Sequence, residues 1–222
     1  MSKGIFITAT GTDVGKTYIT ALLVKRLRQE GFNAGYYKAA LSGAESIGES
    51  DAGYVNRIAG IGQEESSLVS YLYKNAVSPH LAARLEENPP ETAKIKADYD
   101  RVTDRYDYVV AEGSGGIVCP IRWDESEHIL LEDIIKLLEL DTLIVADAGL
   151  GTINSIVLTA EYLKSRNIRV RGIILNRFGG TLMEEDNGKM AEALTGIPVI
   201  ARVGENAENI SASGNIAETL FG

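Results

Sequence analysis

The chain has 222 residues, 45% of them hydrophobic and 24% charged, which is an ordinary globular balance and enough for one sizeable core. A formal net charge of −9 argues against nucleic acid and acidic membranes as partners. The single cysteine, Cys119, excludes an internal disulfide framework and fits a reducing cytosol, and no apolar run reaches the length of a membrane-spanning helix.

The opening stretch MSKGIFITATG has too short an apolar run for a signal peptide, so the expected compartment is the cytoplasm. Within it GIFITA (4–9) reads as a buried strand. Residues 16–31 place Ile19, Leu22, Leu23 and Leu27 on one face of an amphipathic helix that stops at Gly31. A second strand is expected at 33–39, a third at 107–116 running into a glycine-rich turn, a fourth at 141–152, a fifth at 169–177 and a short sixth at 197–203. Helices are expected at 91–106, where Ile95, Tyr99, Val102 and Tyr106 share a face, at 129–140 and at 153–166. Residues 40–52, 60–67 and 177–188 read as loops. This alternation predicts an α/β three-layer sandwich with a mainly parallel central sheet, in one domain spanning 1–222. Ligands of such sheets bind at the carboxyl ends of the strands. Thr10 to Thr17, Lys38, Glu112, Asp147 and Asn176 are expected there.

The run TGTDVGKT (10–17) ends like a P-loop, although the usual first glycine is replaced by Thr10. Gly15 permits the tight turn, the amides of 13 to 17 can point inward, and a helix N-terminus favours anions. Lys16 can reach terminal phosphates and Thr17 can place its hydroxyl on magnesium. The plain alternative is a helix start with a solvated lysine. The strand before and the helix after favour phosphate binding, and with it a P-loop NTPase-type sheet.

Glu112 ends the apolar run VVA, where a metal-binding acid is expected, against the alternative of a turn-capping carboxylate. Asp51 reads equally as a metal ligand or a helix N-cap. Lys38, read as the end of the second strand, either reaches solvent or adds a second cation beside the triphosphate. Ser42 follows in the loop and can read a polar substrate group. GLGTINS (149–155) offers backbone amides to an anion or is an ordinary helix start. The amide of Asn176 can pair with a purine edge, and NRFG lacks the aspartate of guanine-specific N-K-x-D motifs. His80 and His128 have no metal-ligand spacing, and Cys119 reads as core.

The ordered set FITATGTDVGKT (6–17), YYKAALSG (36–43), SDAGYV (50–55), SPHLAAR (78–84), VVAEGSGGIVCPI (109–121), GLGTINS (149–155) and ILNR (174–177) resembles the dethiobiotin synthetases nearly end to end. The resemblance implies a homodimeric, cytoplasmic ligase of biotin biosynthesis. Its substrates would be 7,8-diaminononanoate, CO2 and MgATP, with ATP as co-substrate, a carbamate and a carbamic–phosphoric anhydride on the way, and dethiobiotin, ADP and phosphate as products. It implies Thr17, Asp51 and Glu112 as magnesium ligands and Lys16, Lys38 and Thr12 as catalytic contacts. Nucleotide contacts would come from Asp13, Val14, Gly15, Lys16, Thr17, Tyr18, Asp51, Glu112, Gly113, Ser114, Gly115, Asn176, Arg177, Val203 and Gly204. Substrate contacts would come from Thr12 and Ser42 and, across the dimer, from Leu150, Gly151, Thr152 and Asn154. The chain departs from the family's common pattern at Ala39, Asp13 and Ser114, where proline, glutamate and alanine are usual. A partition-type ATPase would carry an extra lysine early in the P-loop, and positions 9–14 hold none. An amidotransferring synthetase would need a glutaminase domain for which the chain is too short. A non-catalytic domain would not need Lys16, Thr17, Lys38, Asp51 and Glu112 together.

Overall fold

In a computed structural model, which describes residues 3–210 and 215–222, the short apolar runs lie side by side as strands covered on both faces. Met1 and Ser2 of the expected N-terminal stretch fall outside the described residues. Strand β1 (Lys3–Ala9) shows the layering: Ile5, Ile7 and Ala9 enter one apolar cluster and Phe6 the other, as the two-residue period of a strand requires. The elements that follow it are α1 (Lys16–Gln29), β2 (Ala34–Ser42), α2 (Asp51–Ile58), β3 (Val69–Tyr73), α3 (Pro79–Leu85), α4 (Thr92–Thr103) and β4 (Tyr108–Glu112). Next come β5 (Pro120–Trp123), β6 (His128–Leu130), α5 (Leu131–Leu137), β7 (Asp141–Asp147), α6 (Thr152–Ser165), β8 (Val170–Asn176), α7 (Leu182–Thr195), β9 (Val199–Arg202) and α8 (Ile216–Phe221).

Among the described residues seven strands form one sheet in the order β3-β2-β4-β1-β7-β8-β9, and every neighbouring pair is parallel. Helices α1, α2 and α8 contribute to the cluster on one face, and α3 to α7 to the cluster on the other. The expected three-layer α/β sandwich is therefore the observed fold. After β1 the chain steps outward to β2, and β4 later fills the gap between them. The carboxyl ends of β1, β4 and β2 thus adjoin, although they lie far apart in the sequence.

Several expectations are corrected. β2 continues to Ser42, so Lys38 sits inside a strand and not at its end. The expected loop at 40–52 shrinks accordingly, and its last residues begin α2, which the Ser50 hydroxyl caps by accepting from the amides of Ala52 and Gly53. Asp51 is the first helical residue, not the cap. The expected loop 177–188 contains the start of α7, fixed by a capping box between Thr181 and Glu184. The strand expected at 107–116 stops at Glu112, leaving the glycine turn as turn. β3, α3 and the antiparallel β5–β6 hairpin are additional elements.

Gly35 lets β2 pass under a tyrosine. A Cβ there would lie 2.5 Å from Cδ2 and Cγ of Tyr106. Gly35→Ala is expected to lower the free energy of unfolding by about 1–3 kcal/mol through overpacking, read by urea denaturation. The loss should shrink when Tyr106 is also shortened to leucine. Strictly additive losses would show that the ring is not the obstacle.

Candidate functional site

The chain leaves β1 at Ala9, turns through residues 10–15 and enters α1 at Lys16. Gly15 caps that helix at φ 85°, a conformation that disfavours any side chain, and a Cβ there would run into the Asn176 amide. Gly15 offers no side-chain acceptor, and the first turn holds no acidic residue. The leading amides of α1 are therefore available to an anion, with the positive end of the helix dipole behind them.

Beneath this turn is a buried charge cluster. Lys38 of β2 is in register with Glu112 of β4, and they are only 3% and 1% exposed. Glu112 Oε1 accepts from Lys16 Nζ, Lys38 Nζ and Thr17 Oγ1, each at 2.9 Å. Lys38 Nζ also donates to Asp51 Oδ2 at 3.0 Å, which ties the start of α2 to the sheet. Burial acts to raise the Glu112 pKa, but the two lysine charges and their hydrogen bonds outweigh it and hold the carboxyl at about 2. Burial acts to lower the Lys38 pKa, and Glu112 and Asp51 overcome it, so Lys38 is raised and stays charged. Lys16 is lowered by burial, with Glu112 opposing and Lys38 adding to the fall. One carboxylate shared by two ammoniums explains the asymmetry: Lys38 also bonds Asp51 directly, whereas Asp51 reaches Lys16 only through space, as its weakest influence. A phosphate entering the turn would compete with Glu112 for both lysines.

A pocket of about 470 Å³ opens over the cluster. Thr12, Asp13, Gly15, Lys16, Thr17, Tyr18, Lys38, Ser42, Asp51, Ser114, Gly115 and Arg177 line it, all of them expected from the sequence. A second hollow of about 290 Å³ shares Gly15, Tyr18 and Arg177 with it and adds Asn176, Glu205 and Asn206, so the two make one cleft. Asn176 donates from Nδ2 to the Val14 carbonyl at 2.9 Å, and its buried Oδ1 has no partner. Arg177 bridges the Asp13 carbonyl at 2.7 Å and Asp147 Oδ2 at 2.8 Å.

Other expected residues lie outside the lining. Glu112 is under the floor. Gly113 is packed where a Cβ would meet Phe6 and Leu131. Val203 is buried and Gly204 immediately precedes Glu205 of the second hollow. Leu150, Gly151 and Asn154 are exposed, Thr152 is buried, and none of the four lines either hollow. Gly11 lines the cleft within the expected stretch 10–17, while Leu41, Glu205 and Asn206 line it without having been singled out. The last two follow the final strand of the sheet, and the strand-end rule could have found them.

The cluster can serve phosphate with cations and a hard metal with oxygens. Thr17 Oγ1 donates directly to Glu112, Lys38 brings the Asp51 carboxylate to the same place, and Glu112 Oε2 is buried without a hydrogen bond of good geometry. Among the described residues no group of three or more His, Cys, Asp or Glu could hold a metal by itself. That pattern suits magnesium, which is held by one or two carboxylates together with substrate phosphates. Burial pushes the Cys119 thiol up to about 11 against Lys16 and Lys38, so it is a poor nucleophile.

The AAA domain family matches residues 3–212. The chain is 53% identical over 222 residues to the ATP-dependent dethiobiotin synthetase BioD of Brachyspira hyodysenteriae, covering 100% of both. It is 49% identical over 216 residues to the protein of the same name in Clostridium botulinum, covering 95% of this chain and 94% of that one. Among solved structures it is similar to a ParA family ATPase from Chlorobium tepidum, with a TM-score of 0.60 and 16% identity, covering 94% and 87% of the two chains. It is also similar to the septum site-determining protein MinD of Pyrococcus horikoshii in complex with Mg-ADP, with a TM-score of 0.54, 18% identity and coverages of 93% and 82%. At those identities the solved structures show the fold alone.

The cluster has a signature in acid. Because the folded Glu112 pKa is depressed to about 2 from the usual 4.5, its stabilisation is present above about 4.5 and is lost as pH falls towards 2. Glu112→Gln also leaves two buried ammoniums without this partner and should cost about 3–5 kcal/mol at neutral pH. Urea unfolding across this pH range should therefore show a steeper acid loss in the unaltered protein than in the variant. Equal slopes would remove Glu112 from this account.

Proposed function

The chain belongs to the dethiobiotin synthetase family, and from that premise we propose that it is an ATP-dependent ligase that closes 7,8-diaminononanoate and CO2 into dethiobiotin, releasing ADP and phosphate. One amine takes up CO2 and loses a proton to give a carbamate. A carbamate oxygen attacks the γ-phosphorus of ATP and ADP leaves. The second amine attacks the carbonyl of the resulting carbamic–phosphoric anhydride, loses its proton, and expels phosphate as the urea ring closes.

The observation that carries this reading is the buried second lysine. Lys38 reaches the cleft from a strand beyond Glu112, held by two carboxylates and charged. A fixed cation beside the P-loop lysine suits a reaction that joins an anionic carbamate to an anionic phosphate, because charge placed in advance needs no reorganisation when transfer occurs. Lys16 and the α1 amides would hold the β- and γ-phosphates, Lys38 the carbamate and transferring phosphoryl oxygens, and Thr12 and Ser42 the diamine end. Asn176 would take the adenine amine on its unspent Oδ1, with Tyr18, Arg177 and the segment from Val203 to Gly204 around the base. Thr17, Glu112 and Asp51 would hold magnesium, whose charge would offset that developing on the phosphates.

The segment Leu150 to Asn154, in which Leu150, Gly151 and Asn154 are exposed, would serve the substrate carboxylate of a second copy, making the active form a homodimer with sites at the subunit boundary. Support comes from Leu150, 91% exposed at the head of α6, and from Leu182, 88% exposed at the head of α7, which leave apolar surface for a neighbour. The continuous sheet supports treating 1–222 as one domain. No described helix is long and apolar enough to cross a membrane, and the proposed compartment is the cytoplasm.

The test is phosphate release from MgATP with and without 7,8-diaminononanoate and bicarbonate, with the organic product weighed by mass spectrometry. Release should depend on the diamine and yield a product with one added carbonyl and a closed urea. Release indifferent to the diamine would leave only an ATPase. Lys38→Ala should cut turnover by roughly two orders of magnitude, the scale for one preorganised electrostatic group. Near-normal turnover would dismiss its role.

A further inference from the structure

Under the cleft lies a polar group that none of these steps uses. Tyr36 stands two residues before Lys38 on β2, so the two share a face of the strand. It is in register with Val110, two residues before Glu112. Its side chain is 0% exposed, and its hydroxyl, although close to the Glu112 carboxylate, makes no hydrogen bond of good geometry. On the shared face the phenol lies beside Glu112, diagonal to it across the β2–β4 pairing and within reach of an aromatic side chain. Glu112 offers the matching orphan. Its Oε1 takes three donors, from Lys16, Lys38 and Thr17, while Oε2 is buried with none.

A buried donor and a buried acceptor side by side, neither with a well-formed hydrogen bond, make a costly pairing if the phenol only fills space, because a phenylalanine would fill it without the hydroxyl. The pairing makes sense if the carboxylate turns. On the reading above, phosphate draws Lys16 and Lys38 away from Oε1, and the carboxylate loses two of the three bonds that orient it. Metal-binding carboxylates are themselves held by neighbouring donors, and losing such a donor weakens metal binding. We propose that Tyr36 is a positioning residue for magnesium, its hydroxyl donating to Glu112 Oε2 and so fixing the carboxylate with Oε1 presented to the ion. This rests on the reading of Glu112 as a magnesium ligand.

The test is ADP binding by calorimetry at graded magnesium concentrations, for the unaltered protein, Tyr36→Phe and Glu112→Gln. Tyr36→Phe keeps the ring and removes only the hydroxyl. It should raise the magnesium needed for half-maximal enhancement of ADP binding by about 10–100-fold. ADP affinity in chelator and the unfolding midpoint should not fall. Unchanged magnesium dependence in Tyr36→Phe, with Glu112→Gln impaired, would overturn the role of Tyr36 alone. Unchanged dependence in both would overturn the reading of Glu112 beneath it. Weakening in Tyr36→Phe but not in Glu112→Gln would mean that the phenol acts on something else, and would also overturn the proposal. So would an equal loss of ADP affinity with and without magnesium, which a purely structural role predicts.

Discussion

The interaction on which the site depends is the burial of the Glu112 carboxylate between two ammonium groups. Each of these charges alone would be costly under the sheet's helical cover. Together they satisfy one another: Glu112 Oε1 takes Lys16, Lys38 and Thr17, and Lys38 reaches on to Asp51. The partners of Glu112 on α1 and β2 are 74 to 96 residues away in sequence, so the cluster exists only because β4 inserts between β1 and β2. The strand order is therefore also an electrostatic requirement. Any topology that kept β2 beside β1 would separate Lys38 from Glu112 and leave a buried charge without its partner.

The same arrangement prepares the cleft for an anion. The lysines are fixed by a carboxylate that a phosphate can replace, so their positions are set before a ligand arrives. On the far side, the turn is tied down by backbone contacts. Asn176 holds the Val14 carbonyl and Arg177 holds that of Asp13. Asp13 and Arg177 both have positive φ, at 61° and 54°, an uncommon conformation for residues other than glycine. Such conformations persist where surrounding contacts over-determine them. Here the two strained residues meet directly, the Arg177 guanidinium donating to the Asp13 carbonyl. The Arg177–Asp147 pair is partly exposed, with side chains 43% and 38% accessible, so its value is in geometry more than in stability.

Much of this was legible in the sequence because period and punctuation are local. The apolar run of β1, the amphipathic face of α1 and the glycine turn between them could be read directly. Local signals also existed where the reading went wrong. Thr181 and Glu184 spell a capping box inside a segment taken as loop, and Ser50 competes with Asp51 for the cap of α2. Only geometry decides that second case, through the Ser50 hydroxyl on two helix amides. Lys38 misled for a different reason. A lysine after two tyrosines looks like the exit of a strand, but its charge is neutralised inside the sheet by residues the local sequence does not contain. Tyr36 is hidden for the same cause: in sequence it is one more apolar strand residue, and the place of its hydroxyl is visible only beside Glu112.

The layered fold does not decide the chemistry, since ParA and MinD proteins share it at 16–18% identity. The placement of the second cation bears on it more directly. Residues 9–14 of this chain contain no lysine, so the turn itself supplies only Lys16. The other cation comes from within the sheet, 3% exposed and held by two carboxylates. A lysine on an exposed turn can swing towards a neighbouring molecule and report on its arrival. Lys38 is not free in that way: even where a phosphate competes for its bond to Glu112, it stays tied to Asp51 inside the sheet. Its charge is confined to its own cleft, where it can act only on groups delivered to it. On the proposed reading, such a fixed charge would suit turnover of a small anionic substrate beside a triphosphate.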